Sequence, residues 1–352
     1  MKTLPYILLL SAFLFIGCQS IEPFSIDYLQ PGKVNFPASL RKVAIVNNTP
    51  VTLTGSNSEN DSIALQTNNA SSPDKSIYQG DAQLTTEALA QAIADEYYFD
   101  EVIICDSALR TNDSIARTSN LLSIEEVKAL TQAMHVDFLI AVEGVEIHTQ
   151  RQINYLAQLQ AYYGTLDAIV RPTIRIYLPN RSRPLISLLG NDSIFWEEAS
   201  ISEASVHAQL PTPAETISQA SEFAGTIPIQ HLLPTWKSEQ RYLFTGGNVA
   251  MRDAAVYARE GNWTEAIALW NEQYKTKKGK QKMRAAFNMA VGYEMQDSIE
   301  SAYKMSLEAQ KLASETENTL YVPITLYVNE LQQRKEGLLQ LNAQMQRFEE
   351  DF

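Results

Sequence analysis

The sequence predicts an α+β domain, sandwich-like in its layering, followed by an all-α domain of helical repeats. Three observations carry this. Short apolar runs such as Val43-Ala44-Ile45-Val46 and Val102-Ile103-Ile104 alternate with amphipathic stretches through the first 240 residues, the pattern of strands and the helices that cover them. Beyond Gly246-Gly247 the apolar residues recur at helical spacing. Within that part, the run from Tyr257 to Ile267 is echoed 36 residues later by the run from Tyr293 to Tyr303, and a fixed period of that size marks stacked helix pairs.

Length and charge bound the problem. A chain of 352 residues has room for two domains of about 100–200 residues each. With 45% hydrophobic and 20% charged residues it is globular. A formal net charge of −13 argues against nucleic acid, which needs a basic stripe to displace counterions. Lys275, Lys277, Lys278, Lys280 and Lys282 read as a solvated loop between repeats.

Residues 1–17 have the proportions of a signal peptide: Lys2, then a short apolar core from Leu8 to Ile16, too short to span a bilayer. Phe15-Ile16-Gly17-Cys18 resembles a bacterial lipobox, with Phe15 where Leu is usual. The resemblance implies cleavage before Cys18, lipid on its sulfur and new amino group, and tethering to a membrane. Cys105 is the only other cysteine, so no intramolecular disulfide is expected, and it reads as a strand-end thiol.

Residues 18–39, with Pro23, Pro31, Gly32 and Pro37, read as a tether. The α/β domain is expected over 40–240. Its first strand is Val43–Val46, and Thr54 to Gly80 reads as a mobile surface insertion. Leu89, Ile93 and Tyr97 mark a helix near 83–98, and Glu101 to Cys105 the next strand. Ser123 with Glu126 has the form of a capping box before the stripe Val127, Leu130 and Met134. Val136 to Ile147 is a long strand, central and then edge-exposed. Three β runs follow near 152–163, 165–178 and 185–196, with Pro172 placing a bend or an edge in its strand. Pro179-Asn180-Arg181-Ser182 predicts a hairpin turn. Thr212 and Pro213 open a capped helix that Gly225 is expected to stop. The helical domain is expected over 246–352.

Several resemblances follow from these residues. Lys42–Val46, the helix before Val102-Ile103-Ile104, and His135–Ile140 are similar to the α/β domains of the TolB amino-terminal and curli-secretion lipoprotein kind, which implies a fold and no activity. Ala254, Tyr257, Gly261, Trp263, Ala266 and Trp270, then Ala290, Tyr293, Ile299, Ala302 and Ala309, resemble tetratricopeptide repeats. Gln273 stands where Ala is usual, and Asp297 replaces the loop glycine found at Gly261. Two repeats are too few for a free solenoid and need support. Leu40–Asn47 together with Gly261–Trp270 resemble a family of Bacteroidota lipoproteins that brings no activity with it.

Chemistry is sparse. His135, His148, His207 and His231 are scattered without metal spacing, so neither a metal nor a cofactor is expected. Glu143 with Glu146, or Glu197-Glu198, are candidate carboxylate pairs for glycan hydrolysis, and surface acids explain them better. Asp-Ser-aliphatic triplets recur, including Asp61-Ser62-Ile63 and Asp113-Ser114-Ile115. They resemble O-glycosylation acceptors of exported Bacteroidota proteins, which would place glycans on Ser62 and Ser114; equally, Asp-Ser caps turns. The repeat register puts Asn248, Met251, Arg259, Arg284, Phe287 and Glu294 on a concave face for a partner, unless that face is covered.

The functional expectation is a non-enzymatic scaffold or adaptor lipoprotein, held in the outer membrane by its lipid and binding an envelope protein or peptide. The periplasmic side is favoured because Gln19-Ser20-Ile21-Glu22 lacks the acidic cluster that would resemble a surface-export signal. The alternatives are a glycan hydrolase with its site in the α/β domain and a structural subunit of an envelope or secretion complex.

Overall fold

The computed structural model describes residues 21–50, 74–105, 107–110, 121–316 and 319–349. Cys18, Ser62 and Ser114 lie outside them. Along the chain come β1 (Ile21–Gln30), β2 (Lys42–Asn47), β3 (Asp74–Gln79), α1 (Ala82–Asp95), β4 (Glu101–Ile104), α2 (Ile124–Met134), β5 (Phe138–Leu156), β6 (Ala161–Tyr177), β7 (Ile186–Leu189) and β8 (Asp192–Ser200). Then follow α3 (Glu203–Gln209), α4 (Pro213–Thr226), α5 (Ile229–Leu232), β9 (Thr235–Phe244), α6 (Val249–Arg259), α7 (Trp263–Thr276), α8 (Gly279–Met295), α9 (Ile299–Glu315) and α10 (Tyr321–Glu349). The architecture is α+β overall, in two compact units. Of the described residues, a mixed-sheet unit holds those within Gly32–Thr235 together with 346–349, and a helical unit holds those within Trp236–Met345 together with 21–31.

In the mixed-sheet unit β2 is parallel to both β4 and β5. Val43, Ala44, Ile45 and Val46 are wholly buried, as a continuous apolar run between two covered faces should be. Leu89 and Ile93 of α1 and Ala220 and Ala224 of α4 cover one face; Val127, Leu130 and Met134 of α2 cover the other. Ser123 and Thr212 both form the expected capping boxes.

The long β5 pairs with β2 along its first half and antiparallel with β3 along its second, while β6 runs beside its whole other edge. The expectation that its second half is edge-exposed therefore fails, because the covering strand comes from the end of the stretch read as an insertion. The chain turns at 157–160, where Gln160 takes φ +50°, in the middle of the strand expected over 152–163; no Gly or Pro signals that turn. β6 is no edge either. Pro172 sits where its outer partner changes from β8, which ends at Val170↔Asp192, to β7, which begins at Thr173↔Leu189. Tyr97 lies beyond the cap of α1, 83% exposed with φ +52°.

Residues 21–30, expected as tether, instead form β1, which pairs with β9 in a two-stranded sheet within the helical unit. Around it α6–α7 and α8–α9 are consecutive helical hairpins. Gly261 and Asp297 occupy the same place in the two hairpins, both left-handed at φ +77° and +53°; aspartate is among the few non-glycine residues that tolerate this region. Buried Ala254, Ala266, Ala290 and Ala302 let the helices approach, and Trp270 fills the space between them.

Gly225 does not stop α4, which runs through it to Thr226. It is instead the crossing point with α1: a Cβ there would lie 2.6 Å from the Leu89 amide and 2.7 Å from the Thr85 carbonyl. Backbone cannot yield as a side chain can, so Gly225→Ala should lower stability by about 1–3 kcal/mol, read from urea midpoints. Glu126 supplies a pH test. Burial raises its carboxyl, but the Ser123 amide and the Arg110 guanidinium more than offset this and hold it at about 2, below its ordinary 4.5. A depressed carboxylate stabilises the fold above pH 4.5 and loses that contribution as pH falls toward 2. Glu126→Gln should therefore lose less stability than the natural chain between about pH 5 and about pH 3, measured by the same unfolding titration.

Candidate functional site

The concave face expected to receive a partner is filled from within the helical unit. Met251, Phe287 and Glu294 are 3%, 1% and 1% exposed, so the expectation that they meet a partner is corrected. The occupant is β9. Phe287 stacks on Tyr242 at 4.7 Å and meets Phe244 edge-on at 5.4 Å. Asn288 reads the backbone of Phe244 on both sides, accepting from its amide at 2.9 Å and donating to its carbonyl at 2.8 Å. Asn248 caps α6 and donates to Gln273, Arg284 lies over the Phe244 ring, and only Arg259 is solvent-facing, forked onto Glu22. The face does hold an extended segment, one supplied by its own chain.

Glu294 is the centre of that arrangement. Its carboxylate takes both Nε and Nη2 of Arg241 at 3.0 Å, Nη1 of Arg334 at 2.5 Å and the Tyr327 hydroxyl at 2.8 Å. Burial disfavours the Arg241 cation, yet the bonds to Glu294 prevail and raise it above its ordinary value. The Tyr327 hydroxyl is pushed well up, first by burial and then by the neighbouring carboxylate. One acid thus joins α8, β9 and α10.

A groove of about 510 Å³ lies elsewhere in the same unit. The end of β1 from Asp27 to Pro31, the start of β9 at Trp236 and Lys237, Asp297 and Ile299 ahead of and opening α9, and α10 from Glu330 to Asn342 form its walls. Gly337 lets α10 approach Pro31, whose Cγ would be 3.0 Å from a Cβ there. Arg334 lies 4.0 Å from the centre of the Tyr28 ring, and burial pushes the Tyr28 hydroxyl up. Trp236 is 71% exposed. Neither wall strand was expected from the sequence, although Phe24, Ile26 and Tyr28 alternate with polar residues, the period-2 signal of a half-buried strand.

The candidate acids Glu143, Glu146, Glu197 and Glu198 form no opposed pair. Glu143 is the bulged residue between Val142 and Gly144. It is buried and saturated by Asn48 at 3.0 Å, Arg175 at 3.0 Å and the Tyr177 hydroxyl at 2.7 Å. Glu146 is exposed beside His148 and Arg171. Glu197 and Glu198 are adjacent in β8 and so point to opposite faces. Among the described residues no group of three His, Cys, Asp or Glu is placed to hold a metal ion, and no helix is long and apolar enough to cross a membrane.

These features define an α+β chain whose mixed sheet is joined to a helical unit with a self-filled concave face. The chain belongs to the family described as Domain of unknown function (DUF8603), whose model matches residues 40–244, more than half its length. A second family, Domain of unknown function (DUF6340), has a model that matches residues 252–333. No curated protein and no solved structure matches the chain.

Replacing Glu294 by Gln leaves Arg334 without its counter-charge and Arg241 with Glu330 alone, at 3.0 Å, in a buried setting, which costs about 3–5 kcal/mol. Chemical unfolding should show that loss, with β9 becoming open to proteolysis. Arg259→Ala, at the exposed pair with Glu22, should cost less than about 1 kcal/mol and serves as the control.

Proposed function

We propose that this is a membrane-anchored lipoprotein of the cell envelope, on the periplasmic side of the outer membrane, that binds a partner protein and performs no catalysis. The observation that carries the reading is the groove of the helical unit, where an exposed tryptophan, apolar side chains and charged groups line one continuous concavity. Aromatic anchors in a concave, partly polar setting are the usual centre of a protein-binding surface. The helical hairpins are read as tetratricopeptide-like, supported by the 36-residue spacing and the matched left-handed turns at Gly261 and Asp297. Their concave face is occupied by β9, so the partner surface moves to the groove.

The start of β1 gives the anchor a geometry. Cys18 precedes Ile21 by three residues, a reach of at most about 10 Å in extended chain. A lipid on Cys18 would keep the helical unit at the headgroups. The ten residues of β1 then carry the chain about 30 Å to the groove at its far end.

Metabolic labelling with an alkyne fatty acid tests the anchor. The natural chain should take label and sediment with membranes, and Cys18→Ser should do neither; an unlabelled natural chain would sink the lipoprotein reading. A photo-crosslinker at groove residue Gln333 should give a discrete adduct that Trp236→Ala abolishes, with none from exposed Val256. Adducts indifferent to Trp236, or none, would remove the groove from consideration.

A further inference from the structure

We infer that the groove of the helical unit takes a basic side chain, a lysine or arginine presented by an extended partner segment, with its cation against the Trp236 ring and its charge met by Asp27 and Asp297. This rests on the groove being the partner site.

The argument is a sorting of charges. The two cations in the groove wall are already neutralised by acids: Lys237 by Glu239 at 2.6 Å and Arg334 by Glu294 at 2.5 Å. Glu330, an acid of the wall, is engaged by Arg241 at 3.0 Å. Those three pairs sum to zero. Asp27 and Asp297 line the same groove, and among the described residues neither carboxylate has a hydrogen bond or ion pair. The groove is therefore left with two uncompensated negative charges.

Trp236 is the second observation. It is 71% exposed, and among the described residues its ring stacks on nothing. Indole is the side chain whose face attracts cations most strongly. The Tyr28 ring, in the wall of the same groove, already carries the Arg334 guanidinium at 4.0 Å, so this groove holds one cation–π pair and leaves the better ring vacant. An anionic segment would meet both free carboxylates. A wholly apolar one would strip water from them without return. A lysine or arginine satisfies ring and acids together, and its alkyl stem suits Leu338 and Leu341 in the wall.

The test is fluorescence anisotropy on the full chain with a labelled peptide, Ala-Leu-Ala-Lys-Ala-Leu-Ala, beside versions carrying acetyl-lysine or glutamate in place of lysine. The lysine peptide should bind about tenfold more tightly than either, and added salt should weaken it. Trp236→Ala, and Asp27→Asn combined with Asp297→Asn, should each weaken it about tenfold while unfolding midpoints stay unchanged, since all three positions lie in the groove wall outside the core. Equal binding of the acetyl-lysine peptide, indifference to these substitutions, or preference for a chitin oligosaccharide stacked on Trp236 would each overturn the inference. A partner crosslinked at Gln333 through a segment with no basic residue overturns it too, and leaves the partner-binding reading standing. Selective binding of the lysine peptide with no partner crosslinked upholds the site's chemistry and removes the scaffold reading.

Discussion

A single buried carboxylate governs the helical unit. Glu294 sits on α8, and its two oxygens hold Arg241 of β9 and Arg334 and Tyr327 of α10. Two helical hairpins cannot close a core alone, because each repeat of a stack relies on neighbours to bury its inner face. Here the missing neighbours are a strand and a terminal helix. Placing a charge at the centre of that closure requires desolvating it, which is tolerable only with every lone pair occupied. Three partners from two elements do this, so the carboxylate specifies which strand and which helix complete the unit.

The mixed-sheet unit uses the same device at Glu143. A bulge in β5 turns the glutamate inward, and Asn48, Arg175 and Tyr177 saturate it. The acid lies where β2 gives way along the edge of β5, near the carboxyl ends of the parallel strands. In many α/β proteins that position is a ligand site. Here the Glu143 carboxylate is bonded by its own neighbours Asn48, Arg175 and Tyr177, which fix the bulge.

The groove contrasts with both centres. Its acids Asp27 and Asp297 and its indole Trp236 face solvent without a partner among the described residues, while its buried neighbours Tyr28, Arg334 and Glu294 are fully engaged. The groove thus sets engaged groups beneath and unpaired groups at its rim. Two of the elements that build it, β1 and β9, pair with each other, so part of the stretch that reads as a tether in the sequence forms a wall of the groove.

What the sequence alone determined is local. The capping boxes at Ser123 and Thr212, the buried run Val43–Val46 and the hairpin turn after β6 were legible because each depends on residues a few positions apart, and the buried alanines of the helical hairpins because their pattern recurs after 36 residues. The groove was not, although Phe24, Ile26 and Tyr28 alternate plainly, because an isolated strand has no stability until something pairs with it, and β9 lies more than 200 residues away. The burial of Glu294 was hidden for a related reason. The repeat register places this glutamate on the concave face, open to a partner or covered, and only the arrival of Arg241 and Arg334 from distant elements closes over it. Tertiary structure alone decided which face was closed and which was left open, since pairing of charges and strands across the chain has no signature at short range.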